Sequence, residues 1–333
     1  MKRSLILGLT ALLGLASPAA HAAQEILNAS YDVSRELFID VNKGFVPYWK
    51  QKSGEDVTVK QTHQGSSKQA LAIREGLRAD VVTFNQVNDV QILADSKLVA
   101  KDWVGKFPHN SSPFYSVHSI LVRKGNPKAI KDWSDLAKPG VTIVQVNPKT
   151  GGNGRYAVLA YYAAGLEASG GDTAKARELL KGILANVVVF ESGGRAATST
   201  FTEREIGDVL VTFESETSAF AASGKFEVIT PSVSILSEFP VAVVDKVAKK
   251  KGTEAVSKAY LDYLYTPEAQ EIVARNFYRP RNEEVAKRYA DKFAPVKVLE
   301  VDSTFGGWAK ATTDFFDNGA LVDTLLKEIA AAR

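Results

Sequence analysis

NPKTGGNGRYAVLAYYA, residues 147–163, follows the apolar stretch VTIVQV (141–146) and runs into a segment with a helical apolar pattern. A proline, small polar residues and three glycines therefore stand between a strand and a helix. The first turn of a helix has N–H groups without intrahelical acceptors and carries the positive end of the helix dipole, so this junction is a possible anion cradle. Two nucleotide loops can be tested against it. Gly152-Asn153-Gly154-Arg155-Tyr156-Ala157 fits the loose G-x-G-x-x-G/A pattern, but that pattern requires an acid about 20 residues further on, after the next strand. The acid ending the next strand-like stretch is Glu191, nearly twice as far away. A P-loop fails as well, because Lys149 precedes the glycines and no Gly-Lys-Ser/Thr follows them.

Outward from this loop, short β-branched runs alternate with longer helical segments, which predicts an α/β fold with mostly parallel strands. The strand candidates are 25–30, 56–61, 80–84, 119–124, 141–146, 186–191, 208–213, 226–231 and 241–246. Helix candidates include 34–52, 67–77, 86–94, 154–168, 172–184, 201–206, 214–222, 252–263 and 267–275. Three further strand-to-helix junctions have the same small, polar character: SYDVSREL (30–37), HQGSSKQAL (63–71) and ESGGRAAT (191–198). Ser66 with Gln69 matches a capping box, which places a helix start there. Any one junction also reads as an ordinary glycine turn, but four in one chain point to a ligand held outside the carboxyl ends of the strands. No linker marks a cut between sequential domains, so the expected organisation is two lobes joined by more than one crossing, near 113–125 and 232–245. The corresponding boundaries are 23–115 for the first part of lobe 1, 116–235 for lobe 2 and 236–333 for the return to lobe 1 with C-terminal helices.

MKRSLILGLTALLGLASPAAHA, residues 1–22, reads as a cleavable secretory signal: a basic start, an apolar run and a small-x-small end at Ala20-His21-Ala22. Removing Lys2 and Arg3 takes the formal charge from +3 to +1, which gives no reason to expect nucleic acid or anionic lipid as partner. With no cysteine in the chain, disulfides, thiolate nucleophiles and sulfur-rich metal sites are excluded together. Beyond the signal, His63, His109 and His118 lack metal-ligand spacing, and no G-x-S-x-G elbow occurs. His63 reads as a structural histidine, Tyr161-Tyr162 as core, and the acids of FESE (Glu214, Glu216) as a helix start where the dipole favours negative charge. No cofactor is implied. The chain reads as a binding protein, and a secreted esterase acting on sulfate or phosphate esters is the alternative from another class.

The junctions SYDVSRELF, HQGSSKQA, NPKTGGNGR and GGRAATSTFTEREIGDVL, with ADVVTFNQVNDVQIL, LVRKGNPK, YLYTPEAQ, FYRPRN and FGGWAKA, resemble the periplasmic sulfate- and thiosulfate-binding proteins of bacterial ABC importers over nearly the whole mature chain. YDVSRELF, VTFNQVNDVQIL and the Phe of VTFESE are forms of the thiosulfate-binding branch. The resemblance implies a two-lobed, type II periplasmic binding protein fold, monomeric, that closes over a tetrahedral dianion and delivers it to membrane permease subunits. Carried over by position, the backbone donors are the N–H groups of Asp32, Ser66, Gly152, Asn153 and Gly194. Where the sulfate branch has a serine hydroxyl and an indole N–H, this chain has Gly151 and Phe213, a loss of donors to sulfate unless water or the neighbouring Thr150 hydroxyl compensates. Gly154 stands where the family usually has alanine. Thiosulfate has one sulfur that accepts hydrogen bonds poorly, so replacing the indole donor by a phenyl ring costs it less than sulfate; both branches usually keep the serine, so Gly151 is a departure even from the nearer relatives. Thiosulfate with sulfate is the expected ligand pair, and a sulfate-first or molybdate binder is the alternative within the class.

Overall fold

The computed structural model describes residues 24–332, so the signal reading for 1–22 lies outside the described residues. Two sheets organise the chain. The first has the order β12-β3-β1-β2, with β1 (Gln24–Ser30) parallel to β2 (Val57–His63) and β3 (Val81–Thr83), and β12 (Val241–Val243) antiparallel to β3. The second has the order β7-β6-β8-β5-β9 and contains β5 (His118–Arg123), β6 (Ile143–Val146), β7 (Val187–Glu191), β8 (Val209–Phe213) and β9 (Phe226–Ile229). Every residue of β6 and β8 is buried, as expected for strands covered on both faces, which read as continuous apolar runs.

The strands are mostly parallel, as expected, with one reversed strand in each sheet: β5 runs antiparallel to both of its neighbours, β8 and β9, as β12 does to β3. These strands enter their sheets from a connecting passage rather than from a helical crossover, so nothing forces them parallel. The outward passage is β4 (Phe114–Ser116), and the returning one is β10 (Val233–Ile235) and β11 (Ser237–Glu238). β4 pairs antiparallel with β11 and with β13 (Arg279–Pro280), so the passages lie side by side. Just before β4, His109, Asn110 and Ser111 form a left-handed turn with φ of 55°, 56° and 57°, a conformation costly for L-residues. Ser111 Oγ anchors it by donating to Trp103 O at 2.7 Å and accepting from Phe107 N–H at 3.2 Å.

Seven helices matter for the site: α1 (Arg35–Ser53), α2 (Ser66–Arg74), α3 (Val87–Asp95), α4 (Gly152–Ser169), α5 (Thr173–Ala185), α6 (Gly194–Thr202) and α7 (Glu214–Ala221). The helix expected at 201–206 is instead the end of α6, which begins at Gly194; Glu205 and Gly207, with φ of 56° and 82°, form the turn after it. The strand expected to reach residue 246 ends at Val243, because Asp245 opens a helix. Near the C-terminus, β14 (Lys297–Leu299) pairs with β10, and the helix Leu321–Ala331 packs against α5. Lys149 ties the glycine loop to that region by donating to Phe316 O at 2.6 Å and Asp323 Oδ2 at 3.1 Å, which gives this lysine a structural role.

Candidate functional site

Five junctions each follow the carboxyl end of a strand and open a helix. β1 leads to a single 3₁₀ turn at Asp32–Ser34, β2 to α2, β6 to α4, β7 to α6 and β8 to α7. The residues preceding these starts are Tyr31, Gly65, Gly151, Gly193 and Phe213, and none caps its helix with a side chain. The expected capping box is absent for a positive reason. Ser66 Oγ donates to Asn85 Oδ1 at 2.8 Å and accepts from Asn85 N–H at 2.9 Å, while Gln69 Nε2 donates to the carbonyls of Ser30 and Thr62. The sequence placed the helix start correctly but not its bonding.

Some donors at these junctions are occupied: Val33 N–H by Asp32 Oδ1 at 3.1 Å, Arg195 N–H by Asp32 Oδ2 at 2.9 Å, and the N–H groups of Thr150 and Gly151 by Asn147 O at 3.1 and 3.0 Å. Among the described residues, the N–H groups of Asp32, Ser66, Gly152, Asn153 and Gly194 have no acceptor in the protein. Ser66, Gly152, Asn153 and Gly194 are buried and Asp32 is half-buried. An unpaired buried donor costs roughly 1 to 3 kcal/mol, so this set is polarised toward a missing acceptor.

The two sheets bring these starts face to face. A Cβ on Gly193 would lie 2.7 Å from Asp32 Oδ2, and one on Gly194 would lie 2.7 Å from Val33 Cγ1 and 3.5 Å from Asn153 Nδ2. One on Gly152 would lie 2.8 Å from Asn85 Oδ1 and 2.9 Å from Gln86 Cβ. Without a Cβ, glycine lets the backbone at these starts sit this close to the facing side chains.

The remaining expected residues divide. Thr150 is exposed, whereas its neighbours Gly151, Gly152 and Asn153 are buried. Gly151 is buried with φ −142° and ψ 135°, an extended backbone open to any residue; what limits this position is Val146, whose Cγ1 lies 2.7 Å from where a Cβ would stand. Phe213 is fully buried, edge-on to His118 at 4.7 Å and to Phe239 at 5.2 Å. It supplies shape and no donor.

Sequence reasoning missed a ring of groups around the cradle. Arg195 pairs with Glu36 at 2.7 Å and Glu216 at 3.4 Å, and Glu216 also accepts from Thr198 Oγ1 at 2.8 Å. Burial pushes the Glu216 carboxyl up to about 7, against the pull of Arg195 and Thr198, and the negative charges of Asp32 and Glu36 add to the rise. The acids of FESE do lie in the first turn of α7, and they are also paired: Glu214 takes a bidentate contact from Arg279 at 2.7 and 2.8 Å. His118 is wholly buried, which drives its imidazole down to about 4 against the hydrogen bond to Asn153, so it stays neutral at ordinary pH. His63 bonds Gln61 at 2.7 Å. Nothing in a linear reading signals His118, because its partner Phe213 faces it only through the β5–β8 register.

A family model described as bacterial extracellular solute-binding protein matches residues 38–279. The chain is 51% identical over 310 residues to the thiosulfate-binding protein of Escherichia coli K12, covering 91% of each chain. To the sulfate-binding protein of Salmonella typhimurium LT2 it is 48% identical over 325 residues, covering 96% of this chain and 98% of the relative. The solved structure of the sulfate-binding protein SubI from Mycobacterium tuberculosis H37Rv superposes with a TM-score of 0.79 at 29% identity, covering 88% of this chain and 100% of that one. With this likeness along its length and an α/β fold built around opposed helix starts, the chain belongs to the bacterial extracellular solute-binding proteins and, within them, to the sulfate- and thiosulfate-binding family.

Proposed function

We propose that this protein captures thiosulfate and sulfate outside the cytoplasmic membrane and delivers them to the permease subunits of an ABC importer. The observation that carries the reading is the set of main-chain donors at half-buried Asp32 and buried Ser66, Gly152, Asn153 and Gly194, contributed by four helix starts and left without a protein acceptor. Donors alone suit a dianion that carries no proton. Phosphate keeps a proton near neutral pH and needs an acceptor, and the nearest carboxylate, Asp32, already holds the N–H groups of Val33 and Arg195. In this reading Gly151 and Phe213 line the cradle without donating, which favours thiosulfate, and Thr150 has no part in it. Residues 24–115 and 236–296 form one lobe around the first sheet and residues 116–235 the other, with the segment from β14 onward packed on the second lobe through β10 and α5, and the passages through β4 and β11 carry the hinge. The protein acts as a monomer after loss of residues 1–22.

The family relationship makes the protein a carrier rather than an enzyme. Among sulfur anions, thiosulfate is favoured by the identity to thiosulfate-binding relatives, 50% and 51%, against 47% and 48% for the enteric sulfate-binding ones. Calorimetry of the mature protein with thiosulfate, sulfate, phosphate and molybdate tests the reading. Tight binding of thiosulfate, weaker binding of sulfate and no heat from phosphate are expected. Sulfate bound tightly with thiosulfate unbound would overturn the preference, and phosphate binding best would overturn the donor-only cradle.

A further inference from the structure

The side chain of Asn153, as distinct from its main chain, lies in the same wall of the cleft. It is 3% exposed, its Oδ1 lies 3.1 Å from His118 Nε2, and its Nδ2 donates to Thr212 Oγ1 at 2.8 Å. A carboxamide nitrogen carries two protons, so one N–H of Asn153 has no protein acceptor. Nδ2 sits 3.5 Å from the place of a Cβ on Gly194. The carboxamide nitrogen therefore lies beside Gly194, whose main-chain N–H belongs to the same donor set.

We propose that the Asn153 carboxamide is itself a donor to the bound dianion, and that His118 is a positioning residue that holds the carboxamide oxygen away from the anion and its nitrogen toward it. This rests on reading the cleft as a sulfate and thiosulfate site. A neutral imidazole has one N–H; with that proton on Nε2 it donates to Oδ1 and fixes the amide. The reversed amide would turn its oxygen toward a dianion, which repels it. The anion and His118 thus select the same orientation. Tyr156 and Phe213 pack on the His118 ring at 6.1 and 4.7 Å between centroids, so the imidazole itself has little freedom. The contribution falls where it is needed, because neither Gly151 nor Phe213 can donate from a side chain.

Calorimetry with sodium thiosulfate and sodium sulfate on the mature protein and three variants tests this. Asn153→Gly keeps the main-chain N–H and removes the carboxamide; both anions should weaken by about tenfold or more. Asn153→Asp keeps the shape but replaces a donor with an acceptor and should weaken binding further, whereas His118→Phe keeps a ring and should weaken it less than Asn153→Gly. Nuclear magnetic resonance supplies a readout that a structural role would not move. One of the two side-chain amide protons of Asn153, recognised by its loss in the variants, should shift downfield when thiosulfate is added to the wild type. Wild-type affinity in a folded Asn153→Gly protein, or an unmoved side-chain resonance at saturating thiosulfate, would overturn the proposal. If Asn153→Gly fails to fold, the wild-type resonance decides alone. A wild type that binds neither anion would instead refute the site reading on which this rests.

Discussion

α4 and α5 follow one another in sequence and pack together, yet they treat their N-termini in opposite ways. At α5, Asp172 accepts from the N–H groups of Ala174 at 2.9 Å and Lys175 at 3.2 Å, at an exposed end that water could have served. At α4, Gly151 offers no side chain, and the donors of Gly152 and Asn153 end inside the protein. The same contrast separates α2 and α6, opened by Gly65 and Gly193, from α3, where the Gln86 side chain accepts from Val87 N–H at 3.0 Å. Capping is thus withheld where donors face one another across the cleft. Stability alone would favour the reverse, since a polar group is most costly to leave unpaired where water cannot reach it.

The contrast can be broken most severely at Gly152. Gly152→Asp sets a carboxylate against Asn85 and Gln86 and brings negative charge into the cradle; calorimetry should find thiosulfate binding reduced by at least about a hundredfold, consistent with a loss of roughly 3 kcal/mol or more. Next comes the charge beside α6. Glu216 titrates near 7 in the folded chain against an ordinary value of 4.5, so between those values the folded state keeps a proton that the unfolded state has lost. Stability should therefore fall as pH rises from about 4.5 to about 7, and Glu216→Gln should flatten that slope in thermal melts.

Gly151→Ser sharpens the comparison by restoring a side chain at the α4 cap. Its Cβ meets Val146 Cγ1 at 2.7 Å, so the single variant should lose about 1 to 3 kcal/mol by denaturant titration. Combined with Val146→Ala it should recover part of that loss and gain affinity for sulfate relative to thiosulfate. The smallest effect lies at α5: Asp172→Ala should cost about 1 kcal/mol of stability and leave anion binding unchanged. A change in affinity there would mean that the two caps are not separate devices.

Much of this arrangement was legible in the sequence, because the signals are local. β-branched runs such as VTIVQV and DVLVTF name buried strands, and GSS, TGG and SGG punctuate them where helices begin. β4, β10, β11, β13 and β14 escape a sequence reading because each is two or three residues long and, unlike β3 in DVVTF and β12 in VAVV, is not set in a longer apolar run. Other features depend on contacts between distant segments. Ser66 turns to Asn85 instead of capping its own helix, His118 reaches Asn153 across 35 positions, and Val146 limits Gly151 through the fold of the turn between them. The exposure of Thr150 likewise follows from the direction of that turn, which the residue types do not specify.

In the cradle we propose, main-chain N–H groups, without a cationic side chain, hold the dianion. A crystal structure of the mature protein with thiosulfate tests it most directly. Anion atoms are expected within about 2.7 to 3.2 Å of the amide nitrogens of Asp32, Ser66, Gly152, Asn153 and Gly194, with the Arg195 guanidinium still paired to Glu36 and Glu216. An anion held instead by the Arg195 or Lys149 side chain, with those five amides turned elsewhere, would contradict it.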